Sequence, residues 1–261
     1  MTNLLSLDNL SISFGGVAAL QNISLQVPQG RIYSIIGPNG AGKTTLFNII
    51  SGVYAPNKGS VTLAGRDVTG LAPERLSRLG MSRTFQNLQI FFRMSAVENV
   101  MVGCHRHERT SIMAQMLGLP NVRAENRASE QRSRELLSFV GLEHYADRSA
   151  AAMSYGALKR LEIARSLATE PSILLLDEPA AGCNPTETEE VESVIRRIAE
   201  RGVTVVLVEH DMKLVMRISN RILVLDRGKT IFEGDAKGVQ NDPHVIAAYL
   251  GTHGAREAAS A

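Results

Sequence analysis

The sequence predicts an α/β fold: a parallel core sheet, antiparallel strands near the N-terminus and a helical subdomain inserted between the two halves of the core. Three observations predict it. The runs Ile32–Ile36, Ile173–Leu176, Val203–Val208 and Ile222–Leu225 are short and apolar, as strands buried on both faces should be, and helical patterns follow the first three. Apolar and polar residues alternate through Leu4–Phe14, Ile23–Val27 and Val61–Leu63, separated by Gly, Pro and Asn, which is the pattern of half-buried antiparallel strands. From Phe85 to Ala168 strand patterns nearly vanish, and NVRAENRASEQRSRELLSFVGL places Leu136, Leu137 and Val140 at helical spacing among many charges.

Composition bounds the rest. With 261 residues and 44% hydrophobic content, the chain has enough apolar material for a sizeable core without disulfides or metal. Its two cysteines, Cys104 and Cys183, match no zinc or redox spacing, which suits a reducing cytosol. A net charge of +2 lacks the basic excess of a nucleic-acid binder. The apolar runs are too short to span a bilayer and MTNLLSLDNL has no basic segment before a long apolar one, so any membrane link is expected to run through another protein. The expected divisions are 1–88 for the β-subdomain and first half of the core, 89–168 for the helical subdomain, 169–235 for the second half, and 236–261 for a C-terminal helix and a tail, GAREAASA, that should fray.

The first chemical motif follows the strand Ile32–Ile36. IIGPNGAGKTTL fits G-x-x-x-x-G-K-[ST] with Gly37, Gly42, Lys43 and Thr44, and a helical pattern comes next. Glycines let backbone N–H groups wrap phosphates, the helix start adds positive potential, Lys43 reaches the outer phosphates and the Thr44 hydroxyl is placed to hold Mg²⁺. Pro38, Asn39, Gly40, Ala41 and Thr45 complete the candidate nucleotide contacts. The plainer alternative is a glycine-rich turn before an ordinary helix.

SILLLDEP sets Asp177 and Glu178 at the carboxyl end of a buried strand, the edge where open α/β sheets gather ligands. Asp177 is a candidate Mg²⁺ ligand, mostly through water, and Glu178 a candidate to orient or deprotonate an attacking water. Together the loop and the acidic pair define a nucleotide triphosphatase, leaving kinases, GTPases and transport ATPases open.

In AAMSYGALKRLEIARSLA no nucleophile, base or metal ligand lies beside Ser154 and Gly156, yet Ser154 can cap a helix whose start, with the basic residues Lys159, Arg160 and Arg165, attracts an anion. MSYGALKRLEIARSLA followed shortly by LLLDEP resembles the signature region of ABC ATPases, and the resemblance covers almost the whole chain. It implies a P-loop NTPase (RecA-like) core, an ATP and Mg²⁺ requirement, and a head-to-tail dimer. In such a dimer Ser154 and Gly156 bind the γ-phosphate of ATP held on the opposite subunit's phosphate loop. By the same resemblance Phe14, in SISFGG, stacks on adenine. Gln86, in RTFQNLQIF, senses Mg²⁺ and water and faces the membrane partner, and His210, in VLVEHDM, contacts the γ-phosphate. The implied metal set is Thr44, Gln86 and Asp177, and the implied catalytic set is Glu178, His210 and Gln86.

AAGCNP matches the loop that crosses the dimer seam, with Asn184 where many members carry aspartate and Cys183 expected to pack. Ala157 replaces the usual signature glutamine, removing one hydrogen-bonding side chain from the seam. CHRH at Cys104–His107 reads as a solvated helix start rather than a metal site.

Tyr155, the LEIAR run, a helical insert such as residues 104–130 and the ending DPHVIAAYLG are similar to the uptake group for branched-chain amino acids and related amides. The implied partners are a second ATP-binding subunit, identical or homologous, two integral membrane permease subunits and, indirectly, a solute-binding protein, with no nucleic acid. The implied location is peripheral, on the cytoplasmic face of the inner or plasma membrane. Contact with the permeases is expected near Leu88, Ile90, Phe91 and Phe92, unless that cluster is core. The alternatives are a lipid or lipopolysaccharide exporter ATPase and a soluble ABC protein without a transporter.

Overall fold

The computed structural model of the chain describes residues 3–85, 87–105 and 120–249. Its strands form two sheets. The N-terminal sheet, order β2-β1-β4-β5, is antiparallel and comprises β1 (Asn3–Phe14), β2 (Val17–Pro28), β4 (Lys58–Leu63) and β5 (Arg66–Asp67). The core sheet runs β10-β9-β3-β8-β7-β6 through β3 (Ile32–Ile36), β6 (Met81–Arg83), β7 (Ile173–Asp177), β8 (Thr204–Val208), β9 (Arg221–Asp226) and β10 (Lys229–Gly234). It is parallel except at β10, which returns antiparallel beside β9.

All residues of β3, β7 and β8 are buried, which explains why those strands read as unbroken apolar runs. Strand alternation divides them between two apolar clusters. Tyr33, Ile35, Leu175, Val206, Val208, Leu223 and Leu225 join the N-terminal sheet and Leu46, Phe47 and Ile50 of α1 (Lys43–Ile50) on one face. Ile36, Leu174, Leu176, Leu207 and Val224 pack on the other face in the same cluster as the helical region. At roughly 1.5–3 kcal/mol per fully buried large apolar side chain, this central sheet supplies much of the stabilisation that holds its loops in place.

The short α2 (Pro73–Arg78) precedes β6, and the helical subdomain contains α3 (Ala96–Cys104), α4 (Pro120–Phe139) and α5 (Tyr155–Leu167). Ser95 and Glu98 form a capping box at the start of α3, and Leu137 and Val140 are buried as the helical spacing required. One expectation is corrected here. Cys104 ends α3 rather than starting a solvated helix; its side chain is 2% exposed and lies 3.9 Å from the Ser129 carbonyl, because α3 packs on α4. His107 and residues 106–119, much of the expected insert, lie outside the described residues, as does the tail 250–261. The apolar cluster beyond Gln86 also divides: Ile90 is core and Leu88 packs against the core, whereas Phe91 and Phe92 stand about half exposed together with Phe85.

The second half of the core adds α6 (Pro185–Glu200), α7 (Met212–Ile218), α8 (Ala236–Asn241) and helical residues 243–249. Cys183 is half-buried and packs against the core, as expected. Strands β5, β6 and β10 were not legible in the sequence, being short or only partly buried.

Candidate functional site

Register assembles the site before any side chain is considered. Ile35 pairs with Val208 and Val208 with Asp177, so the residues that follow β3, β8 and β7 emerge together at one edge of the sheet. Those residues are the glycine-rich loop, Glu209–His210 and Glu178.

The loop from Gly37 into α1 requires glycine for steric reasons. At Gly37 φ is +151°, and a Cβ would lie 2.1 Å from the Leu225 carbonyl oxygen; at Gly42 φ is +102° and a Cβ would lie 2.7 Å from Leu20. Gly42, the N-cap of α1, has no side chain to accept from the first-turn N–H groups of Lys43, Thr44 and Thr45. That uncapped helix start is the feature expected of a phosphate cradle. Pro38 and Ala41 are buried, while Asn39, Gly40 and Thr44 face outward. Lys43 curls back on its own loop, its Nζ donating to the Gly37 carbonyl at 2.7 Å and the Pro38 carbonyl at 3.0 Å. Burial pushes its pKa down and the nearby Glu178 opposes that shift.

The acidic pair sits opposite. Asp177 ends β7, 5% exposed, with its carboxylate 2.8 Å from a guanidinium nitrogen of Arg83. Arg83 is held in turn by Asn48 Oδ1 at 2.8 Å and Ser51 Oγ at 2.6 Å, and stacks over Phe47. Glu178 takes φ +49°, and its N–H donates to the Val208 carbonyl at 2.9 Å. His210 Nδ1 lies 3.9 Å from Glu178 Oε2 and 3.7 Å from Glu209 Oε2.

Glu209 was missed by sequence reasoning. It is 1% exposed and accepts from the N–H groups of Ala180 at 2.9 Å and His210 at 3.1 Å. Burial pushes its carboxyl above the usual range. It therefore ties the loop after Glu178 to the loop bearing His210. A carboxylate directly after a fully apolar strand was the available signal.

The signature segment begins α5 with Ser154 as N-cap, its Oγ accepting from the Ala157 N–H at 3.3 Å. Ser154 Oγ also donates to Glu187 Oε1 at 2.7 Å, and the Gly156 N–H donates to the same oxygen at 3.1 Å. These contacts run to α6 rather than to the phosphate loop. Asn184 caps α6, accepting from the Glu187 N–H at 3.0 Å, a role aspartate would also fill. Further along α5, buried Glu162 accepts from the Phe85 N–H at 3.4 Å and from the Gln89 backbone, flanking Gln86 on both sides. Gln86 itself lies outside the described residues.

Phe14 ends β1, 46% exposed, and meets Tyr54 edge-on at 5.3 Å; it is not a core residue. A second unforeseen contact comes from the C-terminal helical residues. The Tyr249 hydroxyl accepts from the Gly37 N–H, and burial pushes its pKa up to about 12. No cluster of three or more His, Cys, Asp or Glu is placed to hold a metal ion among the described residues, so a cation here would need phosphate oxygens and water as further ligands.

Comparison with known proteins agrees with this geometry. Residues 20–181 match the model of the ABC transporter family, and residues 229–255 match that of the branched-chain amino acid ATP-binding cassette transporters. The chain is 43% identical to the high-affinity branched-chain amino acid transport ATP-binding protein BraF of Pseudomonas aeruginosa, over 95% of this chain and 98% of that one. It superposes on the ADP conformation of an ATP-binding cassette of an ABC transporter with a TM-score of 0.84 at 31% identity, covering 96% of this chain and 100% of the other. A dimeric cassette in a post-hydrolysis state, bound to ADP and phosphate, matches with a TM-score of 0.73 at 26% identity, covering 89% and 98%.

Proposed function

The chain belongs to the ABC transporter family, in its branched-chain amino acid transport group of ATP-binding proteins, and from that premise we propose that it energises an importer for branched-chain amino acids or related small amides. It is an ABC transporter ATPase. Its working unit is a pair of cassettes, identical or homologous, with two ATP molecules at the seam. The pair sits against two membrane permeases on the cytoplasmic face, and a solute-binding protein delivers the cargo.

One observation carries the reading: Lys43, Asp177, Glu178 and His210 share the carboxyl edge of the core sheet, whereas Ser154 and Gly156 make their contacts elsewhere. A γ-phosphate on Lys43 is therefore best completed by another chain's signature helix.

In this mechanism the α1 N–H groups and the loop backbone cradle the phosphates, and Phe14 offers a ring face to the base. Lys43 leaves the Gly37 and Pro38 carbonyls and turns to the outer phosphates. Mg²⁺, when bound, neutralises phosphate charge; the Thr44 hydroxyl, Asp177 and Gln86 are the groups that would hold it. Arg83 orients the Asp177 carboxylate through their 2.8 Å contact. Glu178 orients the attacking water and accepts its proton, and His210 lies on the γ-phosphate side. Because Ser154 and Gly156 reach phosphate only in the closed pair, ATP shifts the equilibrium toward closure and hydrolysis releases it. Glu162 ties Phe85 and Gln89 to α5, and Gln86 with the exposed Phe91 and Phe92 passes that movement to the permeases.

The test is complementation. Lys43→Ala and Ser154→Arg are placed on separate chains and mixed; the heterodimer holds one site with both defects and one with neither. Recovery of part of the wild-type hydrolysis in the mixture, with crosslinks between cysteines near Ser154 of one chain and the phosphate loop of the other, is expected. Absence of both refutes the shared site. Copurification of the intact complex, with its solute-binding protein identified, tests the cargo.

A further inference from the structure

We propose that Glu187 is an internal competitor for the signature site, a side chain that occupies the phosphate-binding donors of α5 until the partner's ATP displaces it. The inference rests on the shared-site reading above and adds a residue that reading does not contain.

The geometry is specific. Glu187 stands at the third position of α6, and its two carboxylate oxygens serve two helix starts. Oε2 accepts from the Asn184 N–H at 3.1 Å and closes the capping box of its own helix. Oε1 accepts from both Ser154 Oγ and the Gly156 N–H, at 2.7 and 3.1 Å. Those are the two groups that the shared site assigns to the γ-phosphate. A hydroxyl has one proton to donate, so Ser154 cannot serve Glu187 and a phosphate together. The Ser154 hydroxyl first, and then the Asn184 and Gly156 N–H groups, hold the Glu187 carboxyl below its usual range, so the competitor is an anion.

Space makes the same point. A Cβ built on Gly156 would lie 2.5 Å from Glu187 Cβ and Cγ, so the side chain lies directly against the signature glycine. An incoming phosphate meets both the bulk and the negative charge of this carboxylate. Displacement is nevertheless local: Oε2 can keep the Asn184 bond while Oε1 swings away, so α6 need not lose its cap. The carboxylate thus satisfies the start of α5 in the lone chain, discourages closure without nucleotide, and raises the ATP-dependent threshold for pairing.

The experiment measures MgATP-driven dimerisation by sedimentation velocity in a Glu178→Gln background, where turnover is suppressed. Glu187→Gln keeps an acceptor for the cap but loses the charge; Glu187→Ala removes both. The contact is partly exposed, so its release is expected to lower the protein concentration at half-dimerisation about threefold per signature helix and about tenfold for the pair. A fall in either natively folded variant supports the proposal. An unchanged or raised midpoint in both overturns it, because Glu187 is then a cap alone or assists closure. Ser154→Arg in the same background is the control for the shared site: it should remain monomeric with ATP. Dimerisation of that control at the parent midpoint refutes the shared-site reading itself, whatever the Glu187 variants do.

Discussion

Replacing Glu209 by alanine tests whether the buried carboxylate beside His210 organises the catalytic edge. The side chain is 1% exposed and receives the N–H groups of Ala180 and His210, with Asp211 a longer contact at 3.5 Å. Alanine leaves the Ala180 N–H, on a residue only 8% exposed, without its acceptor, which costs about 1–3 kcal/mol. The expected destabilisation is therefore about 1–3 kcal/mol, read as a lower urea midpoint with an unchanged slope. ATP turnover should fall more than tenfold, since Ala180 and His210 anchor the loops on either side of Glu178. Glu209→Gln retains an acceptor and should recover most of the stability. The pH dependence has a fixed sign: a carboxyl raised in the folded state favours folding while protonated and loses that contribution as pH rises from the unfolded pKa through the folded one. Relative to wild type, Glu209→Gln should thus gain stability as pH rises through that window. Wild-type midpoint and turnover in Glu209→Ala would refute the reasoning.

Two further substitutions probe nucleotide binding. Phe14→Ala should weaken ATP and GTP by similar factors in a fluorescence titration, because stacking on a base face discriminates poorly between purines; a loss for ATP alone would place the adenine contact elsewhere. Tyr249→Phe removes the hydroxyl that accepts from the Gly37 N–H, and should weaken ADP binding by about two- to fivefold; unchanged affinity would show that the C-terminal contact does not shape the loop.

Sequence alone determined the elements whose physics is local. A strand buried on both faces must be continuously apolar, so β3, β7, β8 and β9 were legible within one residue at most ends. The phosphate loop was legible because its backbone shape admits few residues at Gly37 and Gly42, and Ser154 because a helix start needs a side-chain acceptor. Roles for Phe14, Gln86 and His210 came from resemblance, since a lone aromatic, amide or imidazole has no periodic signature. What tertiary structure decided were the contacts between residues far apart in the chain. Arg83 meets Asp177, Tyr249 meets Gly37, and Glu187 meets Ser154 and Gly156. Glu187 reads in sequence as an ordinary capping-box residue, and so it is for Oε2. Only the packing of α6 against the start of α5 gives Oε1 a second set of donors, and whether a charged side chain caps one helix or bars another depends on where folding brings the second helix.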